Sequence, residues 1–169
     1  MSEFDHLGFA EVEVAPVAVA AQVRGQSASD PASIGPAMEG TFAKLGAFLE
    51  ARSAVPAGPP RAIYTSYGPE GTQFVVAIPL GEAPAESGEG GDVFVDSLDG
   101  CKALRFTHRG PYGELMGTYG QITAFMEAKG LMESEADWAR YMPMWEEYLN
   151  DPRTTPEAEL LTHIYLPVK

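Results

Sequence analysis

At 169 residues, 45% of them hydrophobic and 10% aromatic, the chain is long enough for one domain with a real core and too apolar to be disordered throughout. Its 11 Lys and Arg against 24 Asp and Glu give a net charge of -13, which argues against direct nucleic-acid binding and against docking on an anionic membrane, since both need a basic footprint. A single cysteine, Cys101, excludes an intrachain disulfide and a Cys-based zinc site. The N-terminus lacks a signal peptide's basic start and no apolar run nears the roughly 18 residues of a membrane span, so the expectation is a cytoplasmic protein.

In chain order, residues 1–9 read as a loose tail. Val12 and Val14 alternate with Glu11 and Glu13 as in a half-buried strand, Ala15-Pro16 breaks it, and residues 17–24 form a second strand rich in Val and Ala. Asp30-Pro31 is a helix-start signal. The helix it opens runs from near Ser33 to Arg52, with Met38, Phe42, Leu45 and Leu49 on one face. Pro56 to Pro60 stops it. Residues 61–67 and 72–80 are strands joined by the turn Gly68-Pro69-Glu70-Gly71. Residues 81–91 are a Gly-, Ala-, Pro- and Glu-rich linker. Its glycines make no phosphate loop, because no Lys-Ser/Thr follows and no helix opens there.

The second half repeats the plan. A strand over 93–97, the hairpin signal Asp99-Gly100 and a strand over 101–108 lead through Gly110-Pro111 into a helix from Tyr112 to Lys129, with Leu115, Tyr119, Ile122 and Met126 on one face. A loop with Trp138 and Tyr141 follows, then strands on either side of Asn150-Asp151-Pro152. The repeat extends to residues. Gly40-Thr41-Phe42 to Phe48-Leu49-Glu50-Ala51 aligns at a constant offset with Gly117-Thr118-Tyr119 to Phe125-Met126-Glu127-Ala128, and Arg24-Gly25 echoes Arg109-Gly110. A repeat of half the chain means a duplicated module. The predicted fold is α+β: tandem ββαββ modules (10–80 and 92–169) in a single domain over 10–169, with an eight-stranded antiparallel sheet, two long helices and a central pocket on a pseudo-two-fold axis.

Met144-Trp145-Glu146-Glu147-Tyr148 is the chemically unusual stretch. Strand alternation sets Met144, Glu146 and Tyr148 on one face and Trp145 and Glu147 on the other. With the first face inward, Glu146 is a buried acid among aromatic rings, a costly placement without partners. An alignment of Tyr64-Thr65-Ser66-Tyr67 on Trp145-Glu146-Glu147-Tyr148 keeps the flanking aromatics and has the acid only in the second copy. That asymmetry fits a polar group serving a ligand on the axis. Tyr119 lies on a core helix face and is able to turn its hydroxyl toward such a pocket. Trp145 lines the same cavity only if a bulge or twist turns it. His6, His108 and His163 share no metal-ligand spacing, so no metal or other cofactor is expected. His108 reads as a hydrogen-bonded structural residue, and no Gly-x-Ser-x-Gly elbow is present.

His108-Arg109-Gly110-Pro111-Tyr112, Trp145-Glu146-Glu147-Tyr148, Asn150-Asp151-Pro152-Arg153 and Ile164-Tyr165-Leu166-Pro167-Val168 together resemble the C-terminal signature of the GyrI-like small-molecule-binding family. That family is related to the effector-binding regions of AraC-type and MerR-type multidrug regulators. The resemblance implies a pocket between the halves, lined by aromatics, in which a buried Glu meets lipophilic and often cationic ligands. It puts Glu146 at the family's Glu, Tyr112 at the Tyr of Gly-Pro-Tyr, and Tyr64 on a strand that contributes a pocket aromatic. The expected ligand-binding set is Tyr64, Tyr112, Tyr119, Trp145, Glu146 and Tyr148. No helix-turn-helix segment is read ahead of the modules, so the expectation is a stand-alone binder or enzyme. Some relatives resemble hydrolases of strained-ring natural products, which would make Glu146 a general base with Tyr112 beside it. Others resemble inhibitors of DNA gyrase, a weaker alternative here because the acidic residues are scattered.

Overall fold

A computed structural model describes residues 4–82 and 93–168. The eight strands are β1 (Ala10–Val14), β2 (Val17–Ser27), β3 (Arg61–Gly68), β4 (Gly71–Pro79), β5 (Val93–Leu98), β6 (Cys101–Arg109), β7 (Met144–Tyr148) and β8 (Leu161–Pro167), and the two long helices are α1 (Pro31–Ala51) and α2 (Leu115–Ala128). The strands form one sheet in the order β1-β6-β8-β7-β3-β4-β2-β5, with every pair antiparallel. Exchanging β1 with β5, β2 with β6, β3 with β7 and β4 with β8 turns this order into its own reverse. A pseudo-two-fold axis therefore passes between β3 and β7, and each half contributes its first strand to the far edge of the other half.

Both helices cover the same face of the sheet. Leu45, Phe48 and Leu49 of α1 pack on Ala21, Val23, Phe74 and Val76. Ile122, Phe125 and Met126 of α2 pack on Leu104, Phe106, Ile164 and Leu166. Asp30 caps α1, its carboxylate accepting from the Ser33 amide at 3.0 Å. Gly25, in β2, lets helix and sheet approach: a Cβ there would lie 2.4 Å from the Phe74 ring and 2.8 Å from Thr41 Oγ1.

Three sequence expectations change. Residues 4–9 are no loose tail: Leu7 is fully buried, and the Phe4 and Phe9 rings stand 5.6 Å and 4.8 Å from Phe125. Apolar burial holds the segment even though it also carries Asp5 and His6. The α2 helix starts at Leu115, after a 3-10 turn over Tyr112–Glu114. The alignment of β3 on β7 is also wrong in phase. Tyr64 faces Met144, and Ala62 faces Glu146, so Tyr64 shares the helix-side face with Glu146 while its assigned partner Trp145 lies on the other. The extra residue in β3, where the register slips between Tyr64 and Ser66, hides that phase in the sequence. Most of the linker reading, residues 83–91, lies outside the described residues.

Candidate functional site

Between α1 and α2, over the central pair β3 and β7, the sheet floors an open cleft of about 2140 Å³, well above the ~300–1,000 Å³ of a common small-molecule pocket. Strand alternation supplies the floor: Tyr64 comes from β3, and Met144, Glu146 and Tyr148 from β7. Helix α1 walls one side with Met38 and Phe42, and α2 walls the other with Leu115 and Tyr119. The turn after Gly110 brings Tyr112 to the rim.

Glu146 is 3% exposed, and its hydrogen-bond partners are phenols. Tyr119 donates to Oε2, and Tyr148 donates to Oε1 at 2.7 Å. Tyr64 bears on the same carboxylate. Burial pushes the Glu146 carboxyl above the usual carboxylate range, opposed by the hydrogen bonds from Tyr119 and Tyr148 and by the nearby His108. Burial, and then the charge of Glu146, push the Tyr64, Tyr119 and Tyr148 hydroxyls up. They therefore remain protonated donors near neutrality. Tyr112 is raised by burial, then by Asp151 and Glu146. Its ring packs edge-on against Tyr148, 5.3 Å between centroids.

Of the six residues expected at the site, Tyr64, Tyr112, Tyr119, Glu146 and Tyr148 converge on the cleft. Trp145 does not. It stacks on Tyr165 at 5.0 Å on the opposite face of the sheet, with Arg61 5.2 Å from its ring centre. β7 carries no bulge to turn it, so simple alternation governs. His163 lies on that outer face as well, against Tyr165. Sequence reasoning left Phe42 to the core, yet it lines the cleft and meets Tyr148 edge-on at 5.9 Å. It also left Trp138 in a loop. A 3-10 helix over Glu135–Tyr141 turns that indole over the cleft, where Nε1 donates to Thr123 Oγ1 at 2.9 Å and the ring meets Tyr119 at 5.7 Å. The available signal was a large aromatic in a segment with no strand or helix of its own to pack in. Among the described residues no cluster of His, Cys, Asp and Glu could hold a metal ion, and no helix is long and apolar enough to cross a membrane.

The arrangement offers a desolvated carboxylate, aromatic faces around it, and phenolic donors. It can hold a cation against rings, or it can take a proton from a bound water. Comparison with known proteins places this geometry in context. The family model described as GyrI-like small molecule binding domain matches residues 63–169. Among solved structures, the EcmrR C-terminal domain is 15% identical with a TM-score of 0.71, over 95% of this chain and 96% of that one. In an EcmrR–DNA complex the same similarity, TM-score 0.72, spans only 57% of the longer EcmrR chain. SAV2435, solved bound to tetraphenylphosphonium, is 11% identical with a TM-score of 0.62, over 95% of this chain and 93% of that one. A hydrolase from Listeria innocua is 16% identical with a TM-score of 0.55, over 95% and 91%. At these identities the likeness is one of fold. A comparison with curated proteins gave no match.

Proposed function

Because the chain belongs to the GyrI-like small-molecule-binding domain family, we propose that its cleft binds lipophilic cations, with Glu146 as the charge partner. The observation that carries this reading is the state of that carboxylate: 3% exposed, at the floor of an aromatic cleft, and held by phenols. A buried acid of this kind is costly, and a cation entering the cleft would offset the cost while lowering the raised pKa. The surrounding rings add about 0.5–2 kcal/mol for each favourable cation–π contact.

The phenols also set which cation fits. Both carboxylate oxygens already accept O–H donors, so a cation without N–H groups meets the charge without breaking a hydrogen bond. A primary ammonium would have to share the carboxylate's remaining lone pairs with the phenols and lose more hydration on entering. Quaternary ammonium, phosphonium and delocalised aromatic cations are therefore favoured over primary amines of equal size. The test is titration of tetraphenylphosphonium or a cationic dye into wild type and Glu146→Gln. The variant should bind about tenfold more weakly or worse, the equivalent of ~1.4 kcal/mol. Equal affinities would overturn the reading.

A second reading is favoured by one further detail: the Tyr112 hydroxyl, at the rim, has no hydrogen-bond partner among the described residues. A desolvated Glu146 can act as general base, taking a proton from water as its oxygen attacks a carbon of a strained ring. For an epoxide the carbon–oxygen bond then breaks, and Tyr112 gives its proton to the ring oxygen. Incubation with epoxides and activated cyclopropanes, read by mass spectrometry for the addition of water, checks it. Turnover that persists in Glu146→Gln would exclude Glu146 as the base.

A further inference from the structure

We infer that His108 is the positioning residue of the binding cleft, holding Tyr112 and Tyr119 in place from behind through its two ring nitrogens. The inference rests on the reading of the cleft as a ligand site and adds a residue that does not line it.

His108 is 5% exposed, on the helix-side face of β6. Its Nε2 stands 3.0 Å from the Pro111 carbonyl oxygen, and its Nδ1 stands 2.6 Å from Thr118 Oγ1. A carbonyl only accepts, so Nε2 carries the proton. Nδ1 is left to pair with the Thr118 hydroxyl. The first bond is possible because Gly110, at φ +125°, turns the chain back on itself directly after β6. L side chains rarely adopt that conformation. The Gly110 amide fixes the same corner by donating to the Leu160 carbonyl at 2.8 Å.

The two anchored groups are each one residue from a cleft phenol. Pro111 precedes Tyr112, whose ring packs on Tyr148, and Tyr148 donates to Glu146. Thr118 precedes Tyr119, which donates to the other carboxylate oxygen. One imidazole thus ties the rim turn and the first turns of α2 to β6. In a cleft this open, α2 is otherwise held by core packing, through Leu115 at its start and Ile122, Phe125 and Met126 further along. A merely apolar residue at 108 would fill the space and leave Tyr112 free to drift from Tyr148 and Tyr119 free to drift from the carboxylate.

The test separates the two links and does not depend on a ligand. Tyrosines are labelled for NMR in wild type, His108→Leu, His108→Gln and Thr118→Val, with the folded state checked by near-UV circular dichroism. His108→Leu should shift the signals of both Tyr112 and Tyr119. Thr118→Val, which keeps the imidazole, should shift Tyr119 and leave Tyr112 in place. His108→Gln, whose terminal amide can still donate toward Pro111, should restore Tyr112 toward wild type. Tyr112 and Tyr119 signals unchanged in folded His108→Leu would overturn the inference, as would His108→Gln behaving like His108→Leu at Tyr112. Tetraphenylphosphonium affinity, measured in parallel, should fall about tenfold in His108→Leu, the scale of a lost buried hydrogen bond, and be partly rescued by Gln. Failure of wild type to bind the cation would sink the ligand reading while the tyrosine spectra still decide the role of His108.

Discussion

The burial of Glu146 should make the protein's stability depend on pH in an unusual way. Its carboxyl sits above the ordinary value of 4.5 because it is buried, so the folded state holds this proton where the unfolded chain has lost it. The contribution is therefore full below the ordinary carboxylate range and is lost as pH rises through the raised value. Glu146→Gln removes that dependence. Thermal melts of the pair should diverge as pH climbs from about 4.5, with the variant the more stable at neutral pH. A gap that closes with rising pH would refute the assignment. A bound permanent cation should reverse the effect in wild type, releasing a proton and stabilising most at high pH. This acid was legible in the sequence because a strand's period of two separates Glu146 and Tyr148 from Trp145 and Glu147, and the same period left Trp145 outside the cleft. Phe42 and Trp138 were not legible as lining residues. Their role depends on how far the helices stand apart over the sheet, which no local pattern records.

The strands and helices themselves were largely readable, because alternation and helical spacing report directly on a buried face. The departures fall where tertiary contacts decide. β2 runs on to Ser27 because Gly25, Gln26 and Ser27 pair with Phe74, Gln73 and Thr72, although the sequence ends that strand at residue 24. Met38 and Phe42 share the helical face of Leu45 and Leu49, yet the first pair borders the cleft and the second the core. Two substitutions test the elements. Gly25→Ala sets a Cβ against Phe74 and Thr41, and overpacking of this kind should cost about 1–3 kcal/mol by urea denaturation. Asp30→Ala removes the α1 cap and should cost about 1 kcal/mol. A Gly25→Ala protein as stable as wild type would show that the α1–sheet contact is looser than described.

At the scale of the molecule, a net charge of -13 should favour the approach of cations over anions. The association rate of a cationic dye should fall steeply as salt is raised through ~0.1 M, where the screening length is about 10 Å. A neutral compound of the same shape should be nearly insensitive. Because this attraction belongs to the whole chain, its salt dependence should persist in Glu146→Gln even as affinity drops. The exchange of first strands between halves was hidden from the sequence: the repeat marks equivalent elements but not which copy pairs with which. The palindromic strand order carries a consequence for ancestry. Two identical half-chains could trade first strands and close the same sheet as a homodimer, but such a dimer would carry a second acid on the neighbouring central strand, and two buried carboxylates at one axis would repel. Joining the halves in one chain lets the copies diverge, so that a single acid on β7 faces Ala62 rather than its own image. In that sense the covalent link is a precondition for a cleft with a single acid on its floor.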